Sequence, residues 1–131
     1  MKTLKYLCFA FIVILISCKG TQKENATEKV KSFIAGTYIR AFEGEYSTGY
    51  DTLIIAQPDA NNNFYTIQHK MSYQQIKDKK PLPIEYKTEN WTAIFNEQTN
   101  VLEEQKKGKR LSFLPDEKAL LLGGSKFKKI E

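Results

Sequence analysis

The chain has 131 residues, 20 Lys and Arg against 15 Asp and Glu, and a formal charge of +5. Its only cysteines, Cys8 and Cys18, lie near the start, so a disulfide-stapled scaffold is excluded and the fold must rest on a packed core. One histidine with scattered carboxylates does not make a tetrahedral metal set, and so small a charge is not a nucleic-acid footprint.

The first element is a leader over residues 1–17. Lys2 and Lys5 give a charged start, residues 6–16 an apolar core, and Ser17 a small residue before Cys18. The run is too short for a transmembrane helix, which needs about 20 residues, and fits the core of a signal peptide. Leu15-Ile16-Ser17-Cys18 resembles a lipobox, the site at which a bacterial lipoprotein leader is cut. The resemblance implies that Cys18 becomes the first residue of the mature chain and carries lipid. More than one acyl chain, at about 0.8 kcal/mol per buried methylene, makes such an anchor stable. Without the leader the charge falls to +3, since Lys2 and Lys5 leave with it.

Residues 18–32 follow as the lipidated cysteine and a flexible tether. They hold almost no apolar side chains and cannot offset the entropy of ordering. A short helix over 26–32 is the exception weighed. Residues 33–131 then form one domain, long enough for a single core and rich in Phe and Tyr.

Within that domain the pattern is short strands and tight turns. Strands are expected over 36–42, 46–50, 51–56 and 64–76, with a loop at Pro58-Asp59-Ala60-Asn61-Asn62-Asn63. Residues 77–83, charged and proline-stopped, read as a loop. Strands over 84–87, 91–96, 101–106, 109–114, 119–122 and 126–130 complete the chain. Alternation puts Tyr65, Ile67, His69, Met71 and Tyr73 on one face, and Trp91, Ala93 and Phe95 on another. Turn spacing of this kind predicts an all-β antiparallel meander of about eight short strands, closed or partly open as a small barrel.

Gly36-Thr37-Tyr38, opening the first strand, resembles the Gly-x-aromatic start of lipocalin-like barrels. A second resemblance covers Gly36-Thr37-Tyr38 again, with Glu43-Gly44-Glu45-Tyr46-Ser47, Asp51-Thr52-Leu53 and Tyr86-Lys87-Thr88-Glu89-Asn90-Trp91-Thr92-Ala93. These look like small lipoproteins of Bacteroidota, some of them from conjugative or mobile-element gene clusters. That family offers a setting and no activity to carry over. Its surface-displayed members often bear an acidic cluster after the cysteine. Here Lys19-Gly20-Thr21-Gln22-Lys23-Glu24 follows, which favours the outer membrane facing the periplasm.

Three groups are candidate sites. His69, with Tyr65 and Tyr73 on the same strand face, could contact a ligand inside a barrel mouth; the bland alternative is a hydrogen-bonded core histidine. Tyr46, Ser47 and Tyr50 could present a partner-binding loop, as in small periplasmic lysozyme inhibitors. Glu43, Glu45 and Asp51 could supply a glycosidase pair, although a solvated hairpin end explains them as well. No nucleophile elbow or phosphate-binding glycine loop is present. The expectation is a non-catalytic binding or adaptor module of the cell envelope, held to the membrane through Cys18, with an envelope protein partner and no cofactor. The alternative is a lysozyme-inhibitor-like barrel or a lipocalin-like binder of an apolar ligand.

Overall fold

The structure, a computed structural model, describes residues 20–131. The expected leader and Cys18, the expected site of lipidation, lie outside the described residues. A helix α1 (Gly20–Ile34) leads into eight strands: β1 (Gly36–Glu43), β2 (Ser47–Ala56), β3 (Phe64–Lys77), β4 (Lys80–Asn96), β5 (Val101–Glu104), β6 (Arg110–Leu114), β7 (Ala119–Leu122) and β8 (Ser125–Lys129). Each strand pairs antiparallel with the next. β8 returns to β1, with Tyr38 opposite Lys129, and closes the barrel. The meander expected from the turn spacing is therefore the fold.

Period-2 alternation drives it. Asp51, Leu53 and Ile55 on β2, Tyr65, Ile67 and His69 on β3, and Trp91, Ala93 and Phe95 on β4 are all buried, with more exposed residues between them. Tyr38, Tyr65, Phe95 and Phe127 fill the interior with Leu102, Leu111 and Leu120. Eight strands enclose just enough room for side chains. Each large apolar group contributes roughly 1.5–3 kcal/mol by leaving water.

The helix is longer than the short 26–32 segment allowed for in the tether. Val30, Phe33 and Ile34 form an i, i+3, i+4 stripe, two members of which lie just beyond the polar window 19–32. Ile34 is fully buried, and Phe33 packs edge-on to Tyr38 and Phe113 at 5.8 and 6.3 Å. The helix end is satisfied by side chains from the barrel. Tyr38 Oη donates to the carbonyls of Phe33 and Ile34 at 2.7 and 3.0 Å, and Lys129 Nζ to that of Phe33 at 2.6 Å. The chain then turns at Gly36, φ +146°, where a Cβ would lie 2.2 Å from the Glu131 carbonyl oxygen. The helix thus covers the barrel end that carries Glu97 and Asp116, through ion pairs from Lys31 and Lys29.

Three sequence readings need correction. Residues 46–50 and 51–56 are not two strands, because β2 runs unbroken through Asp51. Residues 84–87 and 91–96 are likewise one strand. Residues 77–83 are not a loop: β3 and β4 reach Lys77 and Lys80 and meet in a two-residue turn. Asp78 and Lys79 both take positive φ, 52° and 62°, as a type I′ hairpin demands. The strands of 14 and 17 residues are consequently far from short. Only residues 93–96 of β4 pair with β5, so the β3–β4 hairpin leaves the barrel as a projecting arm, flanked by the ends of β2 and β1.

Candidate functional site

Two features stand at the barrel end opposite α1: a polar cluster inside the mouth, and the arm above it. The cluster starts from cross-strand neighbours, Arg40 opposite Asp51. Asp51, only 5% exposed, accepts from Arg40 Nη2 at 2.5 Å, and its other oxygen lies 3.1 Å from His69 Nε2. The Arg40 guanidinium sits 5.5 Å from the ring centres of both Phe42 and Phe127. Trp91 lies against the His69 ring at 4.9 Å and donates to Glu89 at 3.1 Å. Lys109 Nζ covers the Trp91 ring at 4.0 Å. Glu89 also pairs with Lys87; Lys87 and the Trp91 indole hold its carboxyl at about 2.

This cluster is a lid of alternating charge and aromatic surface. An Asp–His pair is one ingredient of acid–base chemistry, but His69 Nδ1 is buried without a hydrogen-bond partner and meets no solvent. As whole side chains, His69 is 11% and Asp51 8% exposed. Among the described residues no group of three or more His, Cys, Asp or Glu could hold a metal ion.

The residues singled out from the sequence fall in different places. Tyr65, His69 and Tyr73 do share the inner face of β3, four residues apart in each step. That spacing is about 13 Å along a strand. Tyr65 is fully buried toward the helix end, His69 lies in the mouth, and Tyr73 is half-buried on the arm, where the carboxylate of its cross-strand neighbour Glu85 raises its pKa. They do not converge on one pocket. Asp51 is inside while Glu43 and Glu45 are exposed at the β1–β2 turn, so those carboxylates do not form one site. Tyr46 and Tyr50 are exposed by 73% and 55%. They flank no loop, however: Tyr46 ends the turn and Ser47 begins β2.

The arm carries what the sequence reading missed. On its outer face Tyr50, Ser72 and Tyr86 stand in one cross-strand row, beside a row of Thr48, Gln74 and Ile84. Ile84 is 55% and Tyr86 79% exposed, and a depression of about 610 Å³ runs between Tyr50, Ile84 and Tyr86. The sheet pinches here at Gly49, where a Cβ would come within 2.1 Å of the Ser72 carbonyl and 2.9 Å of the Phe42 ring. On the opposite face Tyr46, Tyr73, Ile76 and Leu82 line a second depression of about 470 Å³. Residues 80–88 are exposed along their whole length. Period-2 alternation could have flagged Ile84 and Tyr86, but the flanking prolines read as a stop.

No protein-family model, no curated protein and no solved structure is detectably similar to this chain.

Proposed function

We propose that the protein is a membrane-anchored, non-catalytic binding module whose contact surface is the arm. The observation that carries this reading is the exposed set Tyr50 of β2 with Ile84 and Tyr86 of β4, on the outer face of the sheet where it extends past an otherwise filled barrel, with Tyr46 exposed at its other face. Exposed aromatics grouped around a depression are the usual anchors of protein contacts. The interior holds packed side chains and a closed polar cluster, which leaves the arm as the surface on offer. The lipobox resemblance at Cys18 supports a small lipoprotein of the Bacteroidota kind. In that arrangement the anchor enters through α1 at one barrel end, and the arm emerges at the other, toward an envelope partner in the periplasm.

The test is a photo-cross-linking amino acid placed in the full chain in its native envelope. At Tyr50 or Tyr86 it should trap one and the same envelope protein; at exposed Lys128, on the far side of the barrel, it should not. Equal trapping at Lys128, or none on the arm, would reject the arm as the contact surface. For the anchor, Cys18→Ala should leave an uncut or unlipidated protein, read from the mass of the mature N-terminus. An unmodified mature start elsewhere in the wild type would refute lipidation.

A further inference from the structure

The open edge of β4 has its own chemistry. Phe95 N–H donates toward the β3 side, to Asn63, whereas the Thr92 carbonyl accepts from Gln105 on the β5 side. The β3–β4 register runs without a shift from Ile94 down to Ile84. Period 2 then directs the N–H and C=O groups of Ile84, Tyr86, Thr88 and Asn90 to the β5 side. Among the described residues no strand meets them there, since β5 pairs only with residues 93–96. Pro81, at the tip, bounds this free edge.

Charged residues usually protect such an edge from self-pairing. Here Glu85 and Lys87 share one face with opposite sign, two positions apart. We infer that β4 pairs antiparallel with β4 of a second copy about a two-fold axis through Tyr86. Tyr86 then faces the second Tyr86, Ile84 faces Thr88, and Glu85 faces Lys87 of the other copy on both sides of the axis. The Tyr86 pair and the two Ile84–Thr88 pairs are hydrogen-bonded pairs, each exchanging two N–H···O bonds.

An axis at Ile84 sets Glu85 and Lys87 against prolines and pairs no charges, and the registers on the other side or next to Tyr86 fail on charge or on occupancy. An axis at Lys87 sets lysine against lysine and Glu85 against Glu89. An axis at Glu85 opposes the two glutamates. An axis at Thr88 would set Ile84 opposite Thr92, whose carbonyl is already used by Gln105. The Tyr86 axis sets Glu85 against Lys87 on both sides of the axis, and Glu89 meets Pro83, so no like charges oppose within the free edge. It also joins the two outer faces, so that the Tyr50, Ile84 and Tyr86 depressions become one continuous aromatic surface. The edge holds the copy and the face holds the envelope partner; the pairing does not depend on that partner.

The experiment is a charge swap in the full chain, read by sedimentation velocity over a concentration series. Wild type should pass from monomer to dimer. Glu85→Lys opposes two lysines across the axis and Lys87→Glu opposes two glutamates, at two symmetric places each. Either change should weaken self-association by about tenfold or more, from the usual size of cross-strand charge pairs. An equimolar mixture of the two variants restores opposite charges at both places and should recover the dimer. Recovery also shows that both variants are folded. A wild type that stays monomeric at every soluble concentration overturns the proposal, as it would if the edge were meant for a peptide of another protein. Single variants that associate as tightly as wild type, or no recovery on mixing, overturn it equally. Loss of self-association with cross-linking to an envelope protein retained would separate the two surfaces.

Discussion

Removing the Asp51 carboxylate should show whether the mouth cluster is an element of the fold. In Asp51→Ala the Arg40 guanidinium and the His69 ring lose their shared acceptor. Arg40 Nε and His69 Nδ1 are already buried without partners, so neither residue has a second acceptor in place. Breaking one side of a buried ion pair typically costs about 3–5 kcal/mol. The Arg40 side chain is 31% exposed and Asp51 8%, so water recovers part of the loss and the low end, about 3 kcal/mol, is expected. That is a large share of the roughly 5–15 kcal/mol a small domain holds. Urea unfolding should therefore give a much lower midpoint with an unchanged slope. The companion variant replaces the whole cluster, Arg40→Met with Asp51→Leu and His69→Leu. It should regain stability to within about 1 kcal/mol of wild type, because exchanging a complete buried polar set for apolar groups is close to neutral. A loss under about 1 kcal/mol in Asp51→Ala would refute the argument, as would a companion variant no more stable than the single one.

Trp91, 7% exposed between His69 and Lys109, should have blue-shifted fluorescence that iodide quenches poorly, and Trp91→Ala should lose about 3–5 kcal/mol in the same unfolding assay. Gly49→Ala forces a methyl toward the Ser72 carbonyl and should lower stability by about 1–3 kcal/mol, measured as a fall in melting temperature. Glu89, Glu104 and Glu97, the last beside Lys31, all have lowered pKa values that bear on the acid limit. Glu89 is held at about 2 by Lys87 and Trp91. Burial pushes Glu104 up, but hydrogen bonds from the amides of Lys107, Lys106 and Lys109 more than offset it, so its pKa is also lowered. Glu89 and Glu104 both have folded values below their ordinary 4.5, so their stabilisation is present above pH 4.5 and is lost as pH falls through the folded values, for Glu89 at about 2. Melting temperature measured against pH should bend downward below 4.5, and Glu89→Gln should flatten that bend.

The fold was legible where the signals are local. Asn and Pro at 58–63, Pro115-Asp116-Glu117-Lys118 and Gly123-Gly124 mark turns whatever surrounds them. The alternation of Trp91, Ala93 and Phe95, or of Leu111 and Phe113, states which face is buried. Lys77 to Pro83 was misread for an equally local reason: lysine and proline signal a stop. Yet a proline is tolerated at an edge that pairs on one side only, and Asp78 with Lys79 makes a I′ turn without glycine. Nothing near Asp51 in the chain told that the charge belongs inside. Its partners Arg40 and His69 are 11 and 18 residues away and arrive only through the register of β1 and β3.

Patterning along the sequence was thus enough to determine an antiparallel barrel, its meander order and most of its core, because burial of alternate residues is a property of each strand alone. Closure of β8 on β1, the docking of Ile34 and Phe33, the polar cluster at the mouth and the bare edge of β4 belong to the tertiary structure. Each depends on which strands end first and which distant side chains then face one another. The arm exists because β4 is 17 residues long and β5 only 4, and that mismatch becomes visible only when the strands are laid side by side.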